Sequence, residues 1–187
     1  MTFQPTSIEG AFLIELTRRQ DVRGSFARVW SAASFRERGL VADIVEMNTS
    51  RTRKRGTIRG LHYQTAPHAE AKFVRCTRGS LYDVVLDLRP DSPTYLRWAA
   101  FELRDSSDHT LYIPPGCAHG FQTLQNDTEI TYAVSATYHP ECERGIRWND
   151  PAFHITWPIS DVTLSEKDSH IPLFQPKSKR IPNLVTA

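Results

Sequence analysis

Apolar and polar residues alternate along most of this chain in short runs, and few stretches show the three-to-four spacing of an amphipathic helix. Ala11-Phe12-Leu13-Ile14 reads as a strand, Arg18 to Gly24 as a loop carrying Asp21 and Arg23, and Ser25 to Trp30 as a second strand. Ser34 to Arg38 (SFRER) is predicted as a single short helix, stopped by Gly39. From Val45 onward strand and turn alternate. Thr57 to Tyr63, Lys72 to Thr77, Ser80 to Leu88 and Tyr95 to Leu103 are rich in branched and aromatic residues. Thr110 to Ile113 and Gly120 to Leu124 flank the turn Pro114-Pro115-Gly116, and Glu129 to Thr137 reads as the longest strand. Arg147 to Pro158 is rich in tryptophan and proline, and a last helical turn is predicted at Leu164 to Asp168. Regular short strands separated by turn signals predict an all-β fold, a sandwich or a barrel. No internal repeat, low-complexity tract or linker interrupts the pattern, so a single domain is expected over residues 1–187.

Composition narrows the partners. With 187 residues the chain is long enough for a real core, and a formal net charge of +2 is too small to argue for nucleic acid. The basic residues cluster locally at Arg51 to Arg59, which points to a small anionic ligand. Cys76, Cys117 and Cys142 are an odd set without CxxC spacing, which argues against a disulfide framework or a zinc site and for a reducing cytoplasm. Glu9 and Glu15 break any signal-peptide pattern, and no apolar run approaches the roughly 20 residues of a membrane span, so a cytoplasmic place away from the membrane is expected.

The stretch RGTIRGLHYQTAPHAEAKFVRCTRG, Arg55 to Gly79, carries the candidate chemistry. A lone histidine in a strand is more often structural, but His62 stands beside Arg59 and ten residues before Lys72, and cations near a base suit a substrate that becomes anionic. A metal reading finds no complete ligand set: Gln64 occupies the second position after His62, and His68 lies on a proline-containing turn. His119, after Ile-Pro-Pro-Gly-Cys-Ala, reads either as a turn cap or as a second polar group at a pocket mouth. Tyr132 shares a strand face with Ile130 and Val134, as a core tyrosine or as a general acid. Tyr138 is placed past the strand end, where a ring can stack on a base. Asp168 and Lys167 read either as a solvated turn or, for Asp168, as a carboxylate that orients a histidine.

Several longer motifs occur together: Asp-Val-Arg-Gly-Ser-Phe (21–26), Arg-Gly-Thr-Ile-Arg-Gly-Leu-His-Tyr-Gln (55–64), Lys72 in AKFVRCTRG, Asp-Val-Val-Leu-Asp-Leu-Arg (83–89), Ser-Pro-Thr-Tyr (92–95), Ile-Pro-Pro-Gly-Cys-Ala-His-Gly-Phe (113–121), Glu-Arg-Gly-Ile-Arg-Trp-Asn-Asp-Pro (143–151) and Leu-Ser-Glu-Lys-Asp (164–168). In this order, over roughly residues 8 to 175, they resemble the dTDP-4-dehydrorhamnose 3,5-epimerase family. The resemblance implies a cupin-type jelly-roll barrel with short helices at the periphery and C-terminus. It also implies cofactor- and metal-independent epimerisation at C3 and C5 of a nucleotide-linked 4-keto-6-deoxyhexose, in a homodimer that swaps N-terminal strands. In its terms His62 is the base, Asp168 its partner, Tyr132 the acid on the opposite face and Lys72 the cation near the enolate oxygen. Tyr138 stacks on the nucleotide base, while Arg23, Arg59, His119, Glu143 and Lys167 hold diphosphate, sugar or base. Two departures fall at expected ligand contacts. Arg28 stands where the family has glutamate, and Glu46 opens Glu46-Met47-Asn48 where it has Gln-x-Asn. These motivate a mono-epimerase, or an epimerase of another nucleotide sugar, as the alternative within the class. A non-catalytic sugar-nucleotide-binding cupin and a metal-dependent cupin oxygenase are the alternatives outside it.

Overall fold

A computed structural model describes residues 1–175; the remainder of the domain expected over 1–187 lies outside the described residues. In chain order the elements are β1 (Thr2–Pro5), β2 (Phe12–Glu15), β3 (Arg18–Asp21), β4 (Gly24–Ala27), α1 (Ala32–Arg36), β5 (Glu46–Thr52), β6 (Ile58–Gln64) and β7 (Lys72–Arg78). They continue with β8 (Ser80–Asp87), β9 (Trp98–Arg104), β10 (His109–Ile113), β11 (Cys117–Thr123), β12 (Thr128–Val134), β13 (Glu143–Gly145) and α2 (Glu166–Ser169). Two antiparallel sheets, ordered β1-β2-β10-β7-β12-β5 and β13-β6-β11-β8-β9, form a jelly-roll barrel, and β3-β4 is a separate hairpin.

Successive side chains on a strand point to opposite faces, and here both faces lead into apolar layers. Val74, Cys76, Leu81, Val85, Leu111, Ile113, Cys117, Phe121 and Ile130 fill the space between the sheets. The alternate positions of the first sheet, Phe73, Tyr112 and Ala133, pack under Ile14, Leu16 and Phe35. Those of the second, Leu61, Val84, Leu86 and Ala118, pack under Ile146 and Phe153 of the C-terminal segment. Double-sided cover explains why β8 is buried at nearly every position and reads as mixed rather than alternating.

The structure corrects several boundaries. Arg18–Asp21, expected as a loop, pairs residue by residue with Gly24–Ala27; four exposed polar side chains hide a strand whose pairing is local. The first helix begins earlier than expected, because Ser31 caps it by accepting from the Ser34 amide. Glu46–Thr52 was not anticipated: its inward positions, Glu46 and Asn48 among them, face a polar cleft, so the apolar alternation that marks a strand is missing. The short β1 and β13 also escaped notice. β11 starts at Cys117, not Gly120, so His119 lies within a strand and not on a turn. β12 ends at Val134, leaving β8 the longest strand.

At the end of β8, Asp87 is fully buried. Its carboxylate accepts from the Arg89 amide (3.0 Å), Arg89 Nε (2.8 Å) and Nη2 (2.7 Å), Ser92 Oγ (2.5 Å) and Thr94 Oγ1 (2.6 Å). Burial alone would push this carboxyl up, but the hydrogen bonds from Arg89, Ser92 and Thr94 outweigh it and hold it down at about 2. A depressed folded-state pKa stabilises above the unfolded value of about 3.9 and is lost as pH falls towards the folded one. Urea denaturation should therefore find Asp87→Asn about 2–3 kcal/mol less stable than the parent at pH 6. That gap should narrow as pH drops from about 4 to 2. A gap independent of pH would show that the charge of Asp87 contributes nothing.

Candidate active site

The cleft is built on a irregularity in β6. His62 pairs with His119 and Arg59 with Phe121, so β6 spends one residue more than β11 between these two pairs. The bulge brings Arg59 and His62, three apart in sequence, to the same cleft, where strict alternation would send them to opposite faces. Glycines make it sterically feasible. Gly60 lies at φ +121, and a Cβ there would come within 2.5 Å of Gly120 Cα. Leu61, in between, turns outward into the layer beneath the C-terminal segment.

The cavity between the sheets measures about 430 Å³. Phe121 and Ile130 belong both to its lining and to the barrel's apolar filling, so the core forms the floor of the cleft. His62, Lys72, His119, Tyr132, Arg59, Lys167 and Asp168 converge on it. A smaller chamber of about 170 Å³ shares His62, Lys72 and Tyr132 and adds Glu46, Asn48, Glu70, Tyr138 and Glu143.

His62 Nε2 stands 2.7 Å from Asp168 Oδ1, which leaves Nδ1 as the nitrogen free to act. Asp168 is 4 % exposed although α2 lies near the chain's end. Ser165 caps α2, its Oγ accepting from the Asp168 amide at 3.1 Å. Burial pushes the Asp168 carboxyl up, but the His62 contact, with help from the Gly60 amide and Ser165, brings it below the usual carboxylate range. His119 is buried and its Nε2 lies 2.5 Å from Asp83 Oδ1. Asp83 Oδ2 has no protein partner among the described residues. Arg59 is anchored through Nε to Thr52 Oγ1 at 2.9 Å.

The Tyr132 phenol is held above its ordinary value, first by burial, then by the charge of Glu70, against the opposing pull of Arg59. It therefore stays protonated. Lys72 Nζ sits 2.8 Å from Glu70 Oε1. At the mouth, Glu143 Oε2 accepts from Tyr138 OH and from Lys167 Nζ, both at 2.6 Å. Tyr138 is more than half exposed, its ring free to stack.

Of the residues singled out in the sequence, the structure brings His62, Tyr132, Asp168, Lys72, Arg59, His119, Glu46, Asn48, Tyr138, Glu143 and Lys167 to these two chambers. It does not bring Arg23 or Arg28 there. Arg23 sits on the hairpin and pairs with Asp21 of the same hairpin, and Arg28 lies beside Met1, Arg19 and Phe26. Asp83, Glu70 and Ser165 were missed. Asp83 and Glu70 are lone acidic residues in strand-like or loop sequence, whereas Ser165, in Leu-Ser-Glu-Lys-Asp, carried a legible capping signal. His68, set aside on its turn, stacks face to face on His139 with ring centroids 3.4 Å apart. With Glu141 these form a grouping of metal-ligand type outside the cleft. Its rings lie parallel rather than converging on one point, and both His139 nitrogens already have partners, in Thr137 and Glu141.

Comparison with known proteins gives this arrangement a family. The family model described as dTDP-4-dehydrorhamnose 3,5-epimerase matches residues 5–176. The dTDP-4-dehydrorhamnose 3,5-epimerase of Sinorhizobium fredii is 45% identical over 173 residues, covering 92% of this chain and 89% of its own. Among solved structures, that of dTDP-4-dehydrorhamnose 3,5-epimerase from Elizabethkingia anophelis superposes with a TM-score of 0.90 at 35% identity, covering 93% of this chain and 96% of the other. The Bacillus anthracis enzyme, solved with TDP and PPi bound, gives 0.88 at 36% identity, covering 92% and 99%. Motif, fold and cleft agree, and the chain belongs to the dTDP-4-dehydrorhamnose 3,5-epimerase family.

Proposed function

We propose that this epimerase acts on a dTDP-linked 4-keto-6-deoxyhexose, with His62 as base, Tyr132 as acid, Asp168 as the partner of His62 and Lys72 as the cation that receives the enolate. The observation that carries the reading is the sharing of one cleft by a histidine paired to a buried carboxylate, a half-buried phenol and an ammonium. His62 Nδ1 removes the proton beside the ketone; the electron pair of that C–H bond becomes the C=C bond of the enolate while the carbonyl π pair moves onto oxygen. The phenol of Tyr132 then returns a proton to the same carbon from the opposite face, so the configuration inverts. The imidazolium and phenolate left behind exchange with solvent and reset the site.

A carbon acid next to a ketone is far weaker than an imidazolium, whose reference pKa is about 6.5, so the enolate has to be stabilised. A preorganised donor in a site shielded from water is typically worth about 3–4 kcal/mol, and Lys72, with 12% of its side chain exposed, is such a donor. Asp168 fixes the ring and stabilises the imidazolium. Arg59, His119 and Lys167 suit the diphosphate and sugar, while Glu46, Asn48 and Glu143 offer acceptors for hydroxyl or base hydrogens. Tyr138, exposed at the mouth, suits stacking on the base.

The working unit is a homodimer exchanging N-terminal strands. Support comes from the hairpin, where Val22 and Phe26 are exposed and Arg23 reaches neither of the two chambers of its own chain; exchanged between chains, it would carry Arg23 and Arg28 to the partner's cleft. Three free, buried cysteines fit a cytoplasmic enzyme.

Incubation with dTDP-4-keto-6-deoxyglucose in D₂O, followed by NMR, tests the reaction. Deuterium is expected at C3 and C5; incorporation at one carbon alone would make the protein a mono-epimerase, and at neither a binding protein or an epimerase of another nucleotide sugar. His62→Ala should abolish exchange, and retained turnover there would refute the base. Tyr132→Phe should still exchange substrate protons yet form little product. Asp168→Asn, which leaves the geometry but favours the wrong imidazole tautomer, should lower kcat by about 10³–10⁴-fold. A loss smaller than tenfold would remove Asp168 from the mechanism.

A further inference from the structure

Two residues before Lys72, on the turn between β6 and β7, Glu70 is buried against the smaller chamber with only 9% of its side chain exposed. One carboxylate oxygen lies 2.8 Å from Lys72 Nζ, and the other accepts from Gln64 Nε2 at 3.2 Å. Gln64 is itself immobilised: its Nε2 also reaches the carbonyls of His68 and Thr137 at 3.1 Å, and its Oε1 accepts from the His139 amide at 2.6 Å. Glu70 is therefore held from behind and holds Lys72 in front. A carboxylate buried among groups that await a developing anion is unfavourable unless it serves them.

We propose that Glu70 is a positioning residue of the epimerase: it fixes the Lys72 ammonium at the cleft and moderates that cation's hold on the enolate, so that Tyr132 can return the proton. The idea rests on the assignment of His62, Lys72 and Tyr132 made above. An unpaired ammonium would favour proton removal and then keep the negative charge on oxygen. Half-neutralised, it still lowers the barrier but leaves the carbon basic enough to be protonated. The groups that share a chamber with the phenol are Glu70 and Lys72 from the β7 side, Arg59, His62 and Tyr63 from β6, Glu46 from β5, His119 from β11, Tyr138 and Glu143 beyond β12, and Lys167 and Asp168 from α2. Among them the charges of Glu70 and Glu46 favour the protonated phenol and that of Arg59 opposes it.

The test uses the full chain with dTDP-4-keto-6-deoxyglucose in D₂O, comparing deuterium returned to substrate with product formed across pH. In Glu70→Gln the alkaline limb of product formation should move down by about one pH unit. The ratio of exchange to product should rise by about tenfold. Glu70→Asp, which keeps the charge, should restore that limb towards the parent. In a Lys72→Met background Glu70→Gln should leave the ratio unchanged, because the cation it moderates is gone. An unaltered ratio and limb in Glu70→Gln overturns the proposal. So does an equal loss of exchange and product, failure of Glu70→Asp to restore the limb, or an undiminished rise of the ratio when Glu70→Gln is made without Lys72. These outcomes leave the base assignment standing, which falls only to retained exchange in His62→Ala.

Discussion

A charge withdrawn from water has to meet its counter-charge inside the protein, and the inside of a narrow barrel offers few places for the meeting. This requirement governs how the molecule is assembled. His62 meets a carboxylate 106 residues away and His119 one 36 residues away. The first pair joins a sheet strand to the C-terminal helix, and the second braces two strands that are already neighbours in the sheet. The wall strands supply the bases and the cation, while the partners come from β8, the turn before β7 and the C-terminal helix.

Charge is not spread evenly over the cleft. The larger chamber gathers Arg59, Lys72 and Lys167 against the single carboxylate of Asp168, already committed to His62. The smaller gathers Glu46, Glu70 and Glu143 around Lys72. By charge alone, the first suits the anionic part of a ligand and the second its neutral hydrogen-bond donors. The three groups assigned to the chemistry, His62, Lys72 and Tyr132, line both chambers, so the reacting carbon would sit where the two environments meet. Electrostatic interactions strengthen in such a place because water is scarce.

Strand-rich architecture was legible because branched and aromatic runs between turn residues recur through the middle of the chain, and β7, β8 and β10 were placed within a residue or two. What could not be read has a common cause. β3 and β5 bury little apolar surface, so neither shows the alternation by which a strand is recognised. Arg59 and His62 stand three apart, a spacing that in a regular strand separates them; only the bulge against β11 reunites them. Asp168 looked like surface because its neighbours Glu166 and Lys167 are exposed, and its burial is decided by a tertiary contact. Motifs singled out most of the residues that the cleft gathers, but pairing by Asp83 and Glu70 leaves no local trace in sequence.

The position of Asp168 also depends on how the last third of the chain is fastened. A four-residue helix has no stability of its own. The segment leading to it runs beside the barrel wall: the Ile58 amide donates to the Thr163 carbonyl at 2.9 Å, and the Thr163 amide to Gly56 at 3.2 Å. The buried amide of Gln122 takes both backbone groups of Ile159, at 2.8 and 3.0 Å. Gly56 is required at this seam, since a Cβ there would stand 2.4 Å from the Asp161 carbonyl. The same segment carries Phe153 and Trp157 onto the outer face of the second sheet. Apolar cover outside the barrel and the placing of Asp168 against His62 inside it are thus two consequences of one docking.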